Sequence, residues 1–385
     1  MFVPFSTKKR CQQHLFRQVF ALPSLLDVVK KGKKLVQHYI MKMFDWTIVG
    51  AGPAGIAAVG KLLDRGIDPK KIAWIDPRFK VGDLGEKWRG VSSNTKVGLF
   101  IQYLKECQSF RFQDAPPFKL LSLDPENTCF LNEIADPLDW VTGEIRGQIT
   151  SIQSEVTSLK LKNEAWEVAF EKETIQSKNV ILAIGSEPKR LNFPRLEEIP
   201  VSLALDPYKL QEENLKGEKI AVFGASHSSM IVLRNLLEME VDKVINFYTS
   251  PLRFAVYFDD WILFDNTGLK GESAAWARKN IQGSLPDKLS RCHIHDEKFQ
   301  SLLKECTKVV YTVGFEPRTP PETPQFLDLK YNDRNGIIAP GLFGLGIAYP
   351  QRVEDPLGNE EHAVGLWKFM KVLDDYLPLW MRYAP

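Results

Sequence analysis

A glycine-rich turn offers the clearest chemistry in the sequence. Gly50, Gly52 and Gly55 form the pattern G-x-G-x-x-G directly after the apolar segment 46–49, and helical spacing follows. The first glycine permits a tight turn, the second lets the backbone approach a pyrophosphate, and the third allows helix and strand to pack closely. Asp76 ends the next apolar segment, where it could accept hydrogen bonds from ribose hydroxyls. The residues predicted to bind a dinucleotide here are Gly50, Gly52, Pro53, Ala54, Gly55 and Asp76.

A second turn repeats the arrangement with serines in place of two glycines. Gly224 follows the apolar segment 219–223, and the next strand, 244–248, leads to hydroxyl groups and Arg253 rather than to an acid. Small residues still allow close approach. A cation at this point suits the 2′-phosphate of NADPH, so NADPH is favoured over NADH. The predicted nucleotide-binding residues are Gly224, Ser226, His227, Ser228, Ser229 and Arg253. A packing role for His227 and a plain surface position for Arg253 are the alternatives.

Several other segments must complete the sheets that position the two turns. Two apolar segments end in glycine with a proline shortly after it, at Gly185 and Gly314, and a third ends at Gly346. All three glycines are predicted to contact a cofactor. The last stretch, 360–373, has helical spacing. Strands that alternate with helices in this way predict an α/β fold with parallel sheets.

Two dinucleotide folds, one inserted in the other, resemble the flavoproteins with two dinucleotide-binding domains. The resemblance covers about residues 44–385 and implies an α/β fold of two Rossmann-like domains, with the NAD(P) domain inserted into the FAD domain. The cofactors that it implies are FAD at the first turn and NADP, or alternatively NAD, at the second. The predicted divisions are a basic N-terminal extension (1–43), the first part of the FAD domain (44–200), the NAD(P) domain (201–308) and the second part of the FAD domain (309–385).

One loop is similar to a loop of the flavin-containing monooxygenases. The segment 85–96 resembles their tryptophan-containing loop, with Val91 and Asn94 as the clean matches. The resemblance implies that Trp88 lies at the cofactor and that Asn94 lies beside the reacting edge of the flavin. Asn94 is therefore the catalytic candidate, and a turn residue that bonds local backbone is the alternative. The histidine fingerprint that these monooxygenases carry before the second turn is missing from 192–208, which indicates a divergent relative.

The resemblance implies an FAD-dependent NADPH oxidoreductase that acts as a monooxygenase on a small molecule with a nucleophilic nitrogen or sulfur. Two alternatives stay open: a reductase or oxidase of the same fold that inserts no oxygen, and a flavin-bound interaction protein held at a membrane. The five cysteines include no Cys-x-x-Cys, so dithiol reductases and zinc ribbons lack support. His293 and His295, beside Cys292, lack a convincing third ligand, so no metal site is predicted.

Charge is divided unevenly along the chain. The net charge of the 385 residues is +2, yet residues 1–42 carry nine basic residues and one acidic residue. The acidic remainder argues against nucleic-acid binding, which needs a basic face. The extension could be an amphipathic helix that binds a membrane surface or targets the protein, and the alternative is an over-long start before Met41 or Met43. Free thiols, together with the absence of an apolar run of about 20 residues, predict a cytoplasmic protein whose oligomeric state stays open.

Overall fold

The computed structural model describes residues 42–385, and the predictions made for the basic extension as far as residue 41 lie outside the described residues. The strands are β1 Met43–Val49, β2 Ile72–Ile75, β3 Ser92–Lys96, β4 Thr128–Phe130, β5 Thr150–Ile152, β6 Val156–Lys162, β7 Ala165–Phe170, β8 Glu173–Leu182, β9 Ser186–Pro188, β10 Glu197–Glu198, β11 Lys219–Phe223, β12 Lys243–Tyr248, β13 Val256–Tyr257, β14 Ile262–Leu263, β15 Leu289–His293, β16 Lys308–Tyr311, β17 Phe315–Pro317, β18 Ile337–Ala339, β19 Leu342–Gly344, β20 Gln351–Glu354 and β21 Glu360–Ala363. The helices are α1 Pro53–Asp64, α2 Gly82–Glu86, α3 Val97–Glu106, α4 Asn132–Arg146, α5 Val201–Ala204, α6 Pro207–Leu210, α7 His227–Leu237, α8 Gly271–Ala277, α9 Phe299–Glu305 and α10 Leu366–Trp380.

The larger sheet contains the first glycine turn. Its strand order is β18-β19-β8-β1-β2-β5, with β7 beside β8 and β6 beside β7. Strand β1 runs parallel to β2 and β8, so the turn after β1 leaves the sheet where the carboxyl ends of three neighbouring strands meet. Helices α1, α3, α4 and α10 pack in an apolar core that includes Trp74, Phe100 and Trp380. A second core, which includes Trp166, is formed by apolar residues of this sheet, among them those of the β6–β7 hairpin.

A second sheet contains the second glycine turn. Its strand order is β10-β16-β11-β12-β15, and every pair is parallel. The chain enters this sheet after β9 and leaves it before β17, and these two short strands pair antiparallel. The predicted α/β class with parallel sheets is confirmed. The predicted boundary at 308/309 falls inside β16, so a division by sheets places it after Tyr311.

The prediction for the C-terminal stretch needs a correction. Glu360–Ala363 is strand β21, which forms a hairpin with β20, and helix α10 begins only at Leu366. The Asp355 carboxylate accepts a hydrogen bond from the backbone N–H of Asn359 and so stabilises the hairpin turn. Gly365, with a φ of +143°, then separates strand from helix. The helical spacing therefore applies only from Leu366 onward.

Residues 43–385 cluster into one compact unit. None of the helices within the described residues has both the length and the apolar character needed to cross a bilayer.

Candidate active site

The first turn requires glycine at two of its three positions. Gly50 has a φ of +108°, and a Cβ there would lie 2.3 Å from the carbonyl oxygen of Ala183. A Cβ on Gly55 would lie 2.0 Å from the carbonyl oxygen of Gly50, so α1 packs directly on the turn. The indole N–H of Trp74 donates to the same oxygen at 2.9 Å. These contacts give the first and third glycines the structural roles that their spacing suggests.

Asp76 stabilises the first turn from the end of β2. Its buried carboxylate accepts hydrogen bonds from the backbone N–H groups of Ala51 (2.8 Å), Arg78 (2.8 Å) and Phe79 (2.6 Å). A carboxylate has about four lone-pair positions, so about one stays open for a ribose hydroxyl. The carboxylate therefore fixes the backbone of the turn, a role that sequence spacing alone does not indicate.

The N-terminus of α1 has no side-chain cap and lies among glycines. Gly52 is the N-cap residue, and Pro53 follows it at the start of the helix. A Cβ on Gly346 would lie 2.7 Å from the Cβ of Ala54, and one on Gly82 would lie 3.1 Å from the Cα of Gly52. Because a side chain at either glycine would fill this cradle, the site fits the pyrophosphate of FAD against the helix N-terminus.

The two glycines at the crossings between the sheets have related positions. Gly185 and Gly314, which directly precede the paired strands β9 and β17, have φ values of +75° and +97°. Arg318 lies 3.4 Å from the Cβ position of Gly185 and donates to Asp83 Oδ2 at 2.7 Å. This ion pair ties the crossing to α2, whose first residue contributes to the first turn's cradle.

The second turn resembles the first at Gly224 but uses its serines differently. Gly224 has a φ of +130°, and a Cβ there would lie 2.5 Å from the carbonyl oxygen of Thr312. The buried Ser229 hydroxyl forms a 2.7 Å hydrogen bond with the Thr312 hydroxyl. The hydroxyl of Ser229 is thus bonded inside the protein, and the assignment of Ser229 to nucleotide binding stays a prediction. Ser226 is exposed and makes no capping bond, and Ser228 is half-buried, so both remain candidates for phosphate binding.

His227, the first residue of α7, connects the second turn to β3. Its Nε2 lies 3.4 Å from the carbonyl oxygen of Ser92. Its Nδ1 is buried and has no hydrogen-bond partner within residues 42–385. Burial lowers the pKa of His227, against a smaller opposing effect of the contact with Ser92. The ring is therefore neutral at pH 7, packs against β3 and leaves one nitrogen unpaired beside the second turn.

Arg253 contacts the segment that follows the β13–β14 hairpin. Its exposed guanidinium lies 4.7 Å from the ring centroid of Phe264 and donates to Thr267 Oγ1 at 3.3 Å. Both contacts are at the surface, so a phosphate could compete for this cation. The assignment of Arg253 to the 2′-phosphate stays a prediction.

Arg291 is a cation near the second turn that sequence reasoning missed. It lies on β15, donates from Nε to Asn246 Oδ1 at 2.9 Å and covers the Tyr248 ring at 4.2 Å. Asn246 in turn donates to the carbonyl oxygen of Gly224 at 2.8 Å. Strands β15 and β12 are neighbours only in the folded sheet, so no local motif signals this contact.

Asn94 and Trp88 line different cavities. Asn94 is exposed on β3 and lines an open cleft of about 580 Å³ together with Lys96 and Tyr257. Trp88 lines a cavity of about 370 Å³, and its ring meets the ring of Phe315 edge-on at 6.0 Å. Strand β3 therefore joins the cleft at Asn94 to the second turn, which it contacts through Ser92.

A set of contacts that the sequence did not suggest joins the segment 265–267 to the start of α10. Asp265 accepts from the Lys368 ammonium at 2.6 Å. Glu361 accepts from two consecutive backbone N–H groups of that segment, at 3.0 and 3.2 Å. Burial lowers the pKa of Lys368, and the attraction to Asp265 only partly opposes this. The contacts connect a segment that lies between β12 and β15 in sequence to the last helix of the chain.

Thiols and metal ligands are not grouped in the described part of the chain. Cys107, Cys129, Cys292 and Cys306 are free, and burial raises the pKa of Cys129 and Cys306 to about 11. Thiols that stay protonated are poor nucleophiles for disulfide exchange. Within residues 42–385, no three His, Cys, Asp or Glu side chains are placed to hold a metal ion.

The fold and the two turns define a class of protein. Two sheets whose inner strands run parallel, each with a glycine turn at the carboxyl end of an inner strand, are typical of oxidoreductases that bind FAD and a pyridine nucleotide. The family model described as pyridine nucleotide-disulphide oxidoreductase matches residues 44–251. The chain belongs to this family, and it is an oxidoreductase whose cofactors are FAD and NAD(P).

Relatives of the chain include monooxygenases. Monooxygenase AgnR1 of Paecilomyces divaricatus is 34% identical, over 87% of this chain and 97% of its own length. A mutant flavin monooxygenase from Stenotrophomonas maltophilia superimposes with a TM-score of 0.59 at 14% identity and covers 89% of this chain and 99% of its own. Bacillithiol disulfide reductase from Bacillus cereus superimposes with a TM-score of 0.56 at 14% identity, with the same coverage of both chains. The two superpositions show a similarity of fold alone. The predicted resemblance to flavoproteins of this group is confirmed.

Proposed function

We propose that the protein is an NADPH-dependent flavin monooxygenase that oxidises a small molecule at a nucleophilic nitrogen or sulfur. The observation that carries the proposal is the path of β3. Its first residue, Ser92, contacts His227 at the second turn, and two residues later Asn94 opens into the cleft. A strand advances about 3.3 Å per residue, so the turn and the cleft are neighbours. The 34% identity to a monooxygenase supports the same reaction class.

The two turns would hold the two cofactors. Gly52 and the uncapped start of α1 would bind the pyrophosphate of FAD, and Asp76 would keep that turn in place. Ser226 and Ser228 would bind a phosphate of NADPH, and Arg253 its 2′-phosphate. When bound, FAD supplies the chemistry, because it accepts a hydride from NADPH and passes electrons to O2.

Asn94 is the residue that we assign to the oxygen-transfer step. Its exposed side-chain amide can donate a hydrogen bond into the cleft, where it would stabilise charge on the oxygen being transferred. In an Asn94→Ala variant we expect NADPH to be consumed with hydrogen peroxide as the product in place of the oxygenated substrate.

A reductase or oxidase that inserts no oxygen is the second candidate. The absence from 192–208 of the histidine fingerprint of flavin-containing monooxygenases favours it. The exposure of Asn94 favours it as well, because a monooxygenase has to exclude water from the reacting atoms.

We also place the enzyme in the cytoplasm. The four cysteines of the described residues are free thiols, which suits a reducing compartment.

Anaerobic addition of NADPH, and separately of NADH, to the purified flavoprotein tests the nucleotide assignment. We expect NADPH to bleach the oxidised flavin band rapidly and NADH to do so slowly. Arg253→Ala should weaken NADPH binding about tenfold and leave the reaction with NADH unchanged, because only NADPH carries the 2′-phosphate. If neither nucleotide bleaches the bound flavin, the assignment of the second turn is wrong.

Admission of air then separates the two candidate functions. With a thioether substrate, a monooxygenase forms the sulfoxide in proportion to the NADPH consumed. If the wild-type protein converts all of its NADPH to hydrogen peroxide with every amine and thioether offered, the reductase or oxidase function replaces the one proposed here.

A further inference from the structure

The cleft at Asn94 has the size of a small-molecule site. Its volume of about 580 Å³ falls within the range of about 300–1,000 Å³ that is usual for ligand pockets. One wall is formed by β3 and β4 and includes Asn94, Lys96 and Thr128, and another is formed by α8 and by Tyr257 of the β13–β14 hairpin. The lining thus combines residues that follow the first turn in the sequence with residues that follow the second turn.

The cleft is linked to the helix of the second turn by contacts other than His227. The Ser92 hydroxyl lies 3.4 Å from Glu272 Oε2 on α8, and the same carboxylate oxygen pairs with Arg234 of α7 at 3.2 Å. Helix α7 begins at the second turn, so α8 and β3 are both held against the helix that would carry the nicotinamide nucleotide. Together with the contact of His227 to Ser92, these contacts place the walls of the cleft against the helix that begins at the second turn.

The wall formed by α8 and Tyr257 suits a flat molecule. Gly271 and Ala275 are four residues apart on α8, so they share one face of the helix and carry no side chain larger than a methyl group. Tyr257 is half-exposed, and the Lys96 ammonium lies 5.2 Å from its ring centroid. An aromatic ring prefers another planar ring as its neighbour, in a stacked or edge-on arrangement.

The charged groups at the cleft are already paired with one another. Lys96 pairs with Glu126 at 2.6 Å, and Glu272 pairs with Arg234. A charged ligand would compete with a residue of one of these exposed pairs, whereas an uncharged ligand leaves both pairs intact. The other amide and hydroxyl side chains of the β3–β4 wall, those of Asn94, Asn127 and Thr128, suit hydrogen bonds to a neutral molecule.

We propose that this cleft is the substrate site and that its substrate is an uncharged, planar aryl thioether or aryl amine. The inference rests on the proposed function for the identity of the nucleophilic atom. That the substrate is planar and uncharged is inferred from the residues that line the cleft. Tyr257 and the Gly271–Ala275 face of α8 select the ring, and Asn94 lies where the nucleophilic atom is oxidised.

Equilibrium binding of two matched thioethers tests the site without turnover. Methyl phenyl sulfide and cyclohexyl methyl sulfide carry the same sulfur, and only the first has a planar ring. Calorimetric titration of the oxidised holoenzyme without NADPH should show tighter binding of the phenyl compound. Tyr257→Ala should weaken that binding about three- to tenfold, and Tyr257→Phe should preserve it, because the expected contribution is the aromatic contact.

A second variant tests the site by adding a side chain to the cleft instead of removing one. Ala275 is exposed, so Ala275→Leu should fold normally while its larger side chain fills the cleft and weakens binding at least tenfold. Gln102→Leu, at an exposed position of α3 outside the cleft, is the matched control and should bind as the wild type does.

The outcomes separate the site from the function. The site is overturned if the wild type does not bind the phenyl compound more tightly than the cyclohexyl one, or if Tyr257→Ala and Ala275→Leu both bind like the wild type. If binding depends on Tyr257 and Ala275 as expected but no sulfoxide forms with NADPH and air, the substrate site stands and the monooxygenase function fails.

Discussion

At the residue scale, the glycines of the first turn have separable roles. A Cβ on Gly55 would lie 2.0 Å from the carbonyl oxygen of Gly50, whereas a Cβ on Gly52 meets nothing closer than 3.9 Å. Gly52 also has an ordinary φ of −77°. Glycine is therefore needed at position 55 by the protein itself, and at position 52 only if a ligand comes close to the backbone.

We predict that Gly52→Ala and Gly55→Ala fail in different ways. Gly55→Ala should destabilise the fold by about 3 kcal/mol or more, because the clash is with backbone that cannot move aside. Gly52→Ala should keep the thermal stability of the flavin-free protein and lower FAD affinity at least tenfold. Melting temperature without FAD and flavin retained after gel filtration measure the two effects. A Gly52→Ala protein that retains FAD like the wild type would contradict the proposed pyrophosphate site.

We also predict that His227 makes stability depend on pH. Burial holds its pKa below the ordinary value of about 6.5, so the unfolded chain binds a proton at a pH where the folded protein does not. This contribution destabilises the folded protein as the pH falls through about 6.5. His227→Gln should remove it, so the variant should lose less stability than the wild type between pH 7.5 and 5.5.

Urea unfolding midpoints at the two pH values measure this difference. His362→Gln, at an exposed position of β21, is the matched control. Equal losses in the wild type and in His227→Gln would show that the buried ring does not titrate as its surroundings require.

At the element scale, the segment 265–267 is held against α10 by few but specific contacts. Glu361 on β21 accepts two backbone N–H bonds from this segment, and Asp265 pairs with Lys368 in the first turn of α10. The segment lies between β14 and α8, so the same contacts also position one wall of the cleft. Loss of Glu361 should therefore alter the wall of the cleft, although Glu361 itself does not line the cleft.

We predict that Glu361→Ala loosens this segment and leaves both sheets intact. Removal of the acceptor for two backbone N–H groups costs about 1–3 kcal/mol, so local opening should be faster. Hydrogen exchange should speed up at the amides of Asn266 and Thr267 and remain unchanged in β1 and β11. Glu354→Ala, an exposed acid on the same hairpin, is the control. Unchanged exchange in Glu361→Ala would mean that other contacts hold the segment.

At the scale of the whole molecule, residues 43–385 form a compact unit that contains both sheets and both turns. The residues that form the two turns and line the cleft, as far as the structure describes them, all lie within this unit. We therefore predict that a chain starting at Met41 retains FAD and is bleached by NADPH at the wild-type rate. If the extension binds membranes, sedimentation with vesicles that contain anionic lipid should be lost in the shortened chain alone. Loss of flavin from the shortened chain would show that the extension stabilises the enzyme.

Much of the fold follows from patterns that are local in the sequence. The strand before each turn, the glycines with positive φ and the helix after each turn depend on backbone sterics and on spacing within about 15 residues, so they could be predicted. The 360–373 stretch shows the limit of such patterns. Four of its residues form β21 because the hairpin with β20, and not their own spacing, decides their conformation.

The sequence alone was sufficient to determine the cofactor class, because a dinucleotide turn needs particular residues in consecutive positions. The tertiary structure alone decided what surrounds those turns. The bond of Ser229 to Thr312, the contact of Arg291 with Asn246 and the joining of β3, α8 and Tyr257 around one cleft all connect residues that are far apart in the chain. Such contacts depend on which strands become neighbours, and that is a property of the whole packed chain, which no local spacing encodes.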